Sequence, residues 1–211
     1  MSVASIDYDD YSVFNPNAPT EGVVDLAPAA FVSGVENLSA GAGTHTEGKQ
    51  NKSIGHYAHS EGRKTVATYN AHAEGYKTEA RGQGTHAEGH ETIGNGKAAH
   101  VEGYQSKAEG QGAHAEGVKS KASDLGAHAE GSNTEASNRG AHAEGVNTKA
   151  TGDASHAEGY TNEANGAYSH VGGHDSKAEG TNAFAHGAYV TAKEGQSVFG
   201  SYNIPNENAL A

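Results

Sequence analysis

The chain has no cysteine, no tryptophan and one methionine among its 211 residues, with four phenylalanines and four prolines. Without cysteine there is neither a disulfide framework nor a thiolate metal site. With 34% apolar residues and few large ones, a thick core of bulky side chains cannot be built. Basic residues are scarce as well. Fourteen Lys and Arg against 26 Asp and Glu give a formal net charge of −12. That balance argues against nucleic acid or an anionic membrane as partner, since both need a basic footprint. No apolar run is long enough to span a bilayer, so no membrane insertion is expected. Met1 to Asp7 hold no basic segment ahead of an apolar run, which predicts no signal peptide and assembly in a cytoplasm. Low hydrophobicity with high net charge ordinarily marks disorder.

A strict internal repeat overrides that reading. Ten histidines fall in one column, at His45, His59, His72, His86, His100, His114, His128, His142, His156 and His170. Every step is 14 residues except the 13 between His59 and His72. Nine of the ten are followed by glutamate two residues on and glycine three on. Numbered from the histidine, the seventh position is Thr, Ser or Asn (Thr78, Ser120, Asn162) and the ninth is almost always Ala (Ala80, Ala122, Ala164). Both stretches alternate with period two, which is the strand pattern. Glycine at the fourth position, and often at the eleventh or thirteenth, supplies the turns. Fourteen residues are too few for a helix plus a strand. Each repeat is therefore one coil of two short strands, and stacked coils can bury small residues without a thick core.

Side-chain direction follows from the alternation. The second, seventh and ninth positions point into a flat coil that admits only small residues, and the fifth and eighth face solvent. Histidine and glutamate then form two parallel ladders on one outer face. Glutamates about 4.8 Å apart repel one another unless each finds a donor. Exposed ion pairs contribute only about 0–1 kcal/mol, so a polar pair kept on nearly every rung points to a buried face whose groups must be satisfied. The simplest such geometry is a homotrimer with three faces around an axis. The expected core ladder comprises His72, Glu74, His86, Glu88, His100, Glu102, His114, Glu116, His128, Glu130, His142, Glu144, His156, Glu158 and His170. Toward the C-terminal end the column turns apolar, at Phe184 and then Val198. His-x-Glu also offers metal ligands, but the pairs can satisfy one another, so neither metal nor cofactor is expected. Every coil is alike and none stands out as a catalytic site, so no enzyme is expected. Free histidine titrates near 6.5, and a core of such pairs should respond to pH between about 4 and 7.

Ser155-His156-Ala157-Glu158-Gly159 resembles the Ser-Val-Ala-Ile-Gly repeats in the heads of trimeric autotransporter adhesins, with His and Glu in the two apolar places that face the trimer core. The His-Ala-Glu-Gly form itself resembles repeats of phage and prophage tail-fibre or appendage proteins. The resemblance spans residues 44 to about 200 and implies a left-handed parallel β-roll of about 11 coils, all-β and homotrimeric. It also implies a virion fibre of tail or head, assembled in the host cytoplasm. The alternatives are a trimeric adhesin head on a bacterial surface and a polysaccharide-degrading tailspike. Residues 1–43 are expected to cap the roll or to attach it to a capsid or tail protein, 44–195 to form the roll, and 196–211 to close it as a last coil and tail. A host-surface glycan or protein is the expected distal partner.

Overall fold

The computed structural model describes residues 29–202 together with the strand Val24–Asp25. Among the described residues there is no helix. The chain coils into a parallel β-solenoid with two 13-stranded sheets, in which each strand pairs with the one a full coil away. The long ladder carries five-residue strands on most rungs, such as His114–Val118 and His128–Ser132. The short ladder carries two-residue strands such as Lys121–Ala122 and Glu135–Ala136. Register is kept residue for residue: His114 lies beside His128 and His128 beside His142, with Ala, Glu and Gly columns alongside. Thirteen rungs at the ordinary strand spacing make a rod roughly 58 Å long.

The ladder begins earlier than the histidine count predicts. Phe31–Val35 is already a rung and pairs with His45–Lys49, Phe31 standing where later coils have histidine. Residues 1–23 and 26–28, most of the expected attachment segment, lie outside the described residues, as does the tail from residue 203. The apolar turn of the column also differs from expectation. Phe184 pairs with Ser197, so Ser197 takes the histidine place, Val198 the inward alanine place and Phe199 the glutamate place. The cause is a second 13-residue coil. In both short coils one residue is lost from the exposed turn after the short strand, and the ladder keeps its register.

The interior is as small as the composition requires. Alanine at the second and ninth positions is fully buried along the rod, and so are the Thr, Ser and Asn side chains of the seventh. A further buried column at the fourteenth position (Ala113, Ala127, Ala141) completes it. The seventh position is polar for a reason. The fourth-position glycine of the next coil presents a carbonyl inward, and the hydroxyls of Thr78 and Ser106 donate to those of Gly89 and Gly117, each at 3.0 Å. Asn51 does the same with its side-chain amide, donating to Gly62 O at 2.8 Å, while its own N–H donates to Asn37 Oδ1. Several of these buried polar groups are thus spent on a neighbouring rung, while the hydroxyls of Thr65, Thr134 and Thr148 have no partner among the described residues.

Packing this tight makes departures from the consensus compensate one another. Gly94 stands where nearly every other coil has alanine, and a Cβ there would meet Thr85 Cγ2 at 2.4 Å and Val101 Cγ1 at 3.3 Å. Thr85 and Val101 are larger than the alanines usual at their positions. Gly94→Ala is therefore expected to cost about 1–3 kcal/mol through overpacking. Thr85→Ser, which removes the methyl and keeps the hydroxyl that donates to Gly96 O, should restore most of it. A urea-unfolding cycle over the four proteins reads the coupling, and strictly additive effects would count against this packing.

Candidate functional site

The long ladder sends its first and third side chains outward, and all fifteen expected core residues lie on that single face. Ring contacts join the histidines into one column, with centroids 4.5–5.0 Å apart from His45 to His170, stacked at six steps, tilted at His86–His100 and edge-on at His72–His86 and His156–His170. Phenylalanine closes it at both ends: Phe31 packs on His45 at 4.6 Å and Phe184 on His170 at 4.9 Å. Phe31 lacks the marker histidine, so the repeat spacing does not announce its rung.

Within a rung, histidine Nε2 and glutamate Oε2 approach without bonding on most rungs. The separation is 3.6 Å at His72–Glu74 and His142–Glu144, and 3.7 Å at His86–Glu88, His114–Glu116 and His128–Glu130. Only His100–Glu102, at 2.8 Å, and His45–Glu47, at 3.4 Å, are within hydrogen-bond reach. Nε2 of His59, His72, His114, His128, His142 and His156 is shielded and has no hydrogen-bond partner among the described residues. The His170 rung has Gly172 in the glutamate place, and Glu158 turns from its own rung toward His170, at 3.6 Å, filling with His186 the space beside Gly172.

Burial holds the His59, His114, His128 and His142 imidazoles below the ordinary histidine pKa, and the adjacent histidines of the stack push the same way. The facing glutamates oppose this without overcoming it. At neutral pH these rings are uncharged, with a free nitrogen lone pair or N–H, rather than members of ion pairs.

The opposite face behaves differently. The outward residues of the short ladder alternate in sign over Glu135, Lys149, Glu163 and Lys177, which are register neighbours. Lys177 Nζ lies 3.0 Å from Glu163, and that contact lowers the Glu163 pKa. At the turn, Lys77 reaches Glu91 at 2.8 Å and Gln105 donates to the same carboxylate. Much of this face is paired within one chain, though Lys107 lies beside Lys121. The eighth position, free to vary in the sequence reading, is in part a charge ladder. A second aromatic run, Tyr76–His90–Tyr104, lies along the edge with centroids 4.9 and 5.0 Å apart. Neither models of known protein families nor curated proteins match the chain.

Proposed function

We propose that the solenoid is a structural fibre, a shaft of the kind that projects from a bacteriophage particle, and that its histidine and glutamate face is the interface of a homotrimer. One observation carries this reading. The rod has one outer face on which several charges are paired internally and one whose ring nitrogens and carboxylates are left short of partners on most rungs. An unbonded shielded ring nitrogen costs free energy, which a neutral ring recovers when it hydrogen-bonds a polar group of a neighbouring copy. Packing three such faces around an axis also removes the exposed side of a rod too thin to bury much surface alone. The repeating rungs and the resemblance to phage appendage repeats support the fibre role. In this reading residues 1–43 attach the fibre to the particle, and its distal end contacts a host-surface glycan or protein.

Static light scattering tests the interface directly. The expected mass is three times the 21.5 kDa chain, unchanged on dilution through the micromolar range. A monomer would remove the axial core and with it the fibre proposal.

A further inference from the structure

Two rungs break the uniformity of the long ladder. At His100–Val101 and His156–Ala157 the strand shortens to two residues, and in both a tyrosine follows, Tyr104 and Tyr160, held by isolated bridges. At each of these rungs two histidines and one glutamate converge: His86, His100 and Glu102, and four rungs further on His142, Glu144 and His156. In each group the candidate ligand atoms all lie within 4.8 Å of one another.

We propose that His142, Glu144 and His156 bind one divalent transition-metal ion of the zinc class through two imidazole nitrogens and one carboxylate oxygen. The His142–Glu144 separation of 3.6 Å is too long for a hydrogen bond. It matches the distance between neighbouring ligands of a tetrahedral ion, about 3.4 Å for bonds near 2.1 Å. Nε2 of both His142 and His156 is shielded and unbonded, so no existing contact has to be given up. Glu158, the carboxylate of the His156 rung, is turned toward His170, which leaves Glu144 of the preceding rung as the oxygen grouped with His156. The two rings stack in parallel with centroids 4.6 Å apart, so closing on one ion requires them to tip together by roughly 1 Å. Neutral imidazole with one carboxylate suits zinc, nickel or cobalt, whereas calcium and magnesium prefer oxygen shells. Three protein ligands leave a fourth position for water. The positive ion would also offset repulsion along the glutamate column. At the other group, His100 and Glu102 already share a 2.8 Å hydrogen bond that an ion must displace, which makes it the weaker site.

All three ligands belong to one chain, so this inference does not rest on the trimer. The test strips the full chain with a chelator, re-equilibrates it with micromolar zinc, and measures retained zinc and light-scattering mass on the same samples. His156→Phe keeps the stack, as Phe184 does at its end, and Glu144→Gln keeps the shape while weakening the ligand. Each is expected to lose one zinc per chain, and His114→Phe, outside both groups, to lose none. No zinc retained by the unaltered chain, equal zinc in all four proteins, or an equal loss in His114→Phe would each overturn the site. A monomer that holds zinc would sink the trimer and leave this inference standing. A trimer without zinc would do the reverse.

Discussion

Gly117→Ala is expected to destabilise the fold by about 2–6 kcal/mol, combining backbone strain of about 1–3 kcal/mol with overpacking of similar size. Gly117 has φ +106°, and a Cβ there would lie 2.1 Å from Gly131 O of the next rung. The backbone cannot retreat, because Gly131 stands in the same relation to Gly145 and the column repeats in every coil. For a chain of this size the loss corresponds to a fall in melting temperature on the order of 10 °C. Each rung touches only its neighbours, so one damaged rung interrupts the whole stack. Gly126→Ala is the matched control. Its φ is +63° with nothing within 4 Å of a Cβ, and at the equivalent place Ala98 and Ala154 already adopt φ 53° and 49°. A cost within about 1 kcal/mol is expected there. Thermal unfolding by circular dichroism compares the two. Equal losses would mean that the rungs do not approach as closely at the fourth position as the carbonyl contact requires.

That contrast also shows what could be read from the residues alone. The His-x-Glu-Gly column gave away the coil length, the parallel stacking, the inward alanines and the outward histidines, because period-two alternation beside a fixed glycine has one physical solution. The first rung was hidden because Phe31 replaces the marker histidine. The closing rung falls one residue earlier than a 14-residue step predicts, because a 13-residue coil moves Ser197, not Val198, into the column. The sixth position carries a left-handed corner at Lys64, Lys77 and Glu91, and nothing in lysine or glutamate announces it. Asn133, Asn147 and Asp175 alone hint at it, since asparagine and aspartate tolerate that conformation. The eighth-position charge ladder was invisible for another reason. Glu135 and Lys149 look interchangeable until register sets them side by side. At the candidate site, spacing placed His and Glu on one face but could not say whether they bond, because that turns on a few tenths of an ångström.

In chelator-treated protein the melting temperature is expected to fall as pH is lowered from about 7.5 to 5. Burial, and then the flanking histidines, hold His59, His114, His128 and His142 below the ordinary value near 6.5. The unfolded chain therefore takes up protons first. Stability is fully present above about 6.5, declines as pH drops through that value, and stops declining once the folded rings also protonate. Two imidazolium rings as close as His114 and His128, with centroids 4.6 Å apart, repel by about 3–4 kcal/mol at an effective dielectric of 20. The partly exposed setting reduces this, and Glu102, Glu116, Glu130 and Glu144 offset more of it. Adjacent rings consequently resist charging together, and the penalty accumulates along the column. His128→Phe, which keeps the stack and removes one titrating ring, should flatten the pH slope. The sign separates two pictures of the face. Tight histidine–glutamate ion pairs would raise the histidine pKa, and stability would then climb as pH falls. A melting temperature that rises from pH 7.5 to 5 would show that carboxylates of neighbouring copies govern the column in place of burial and like-charge repulsion.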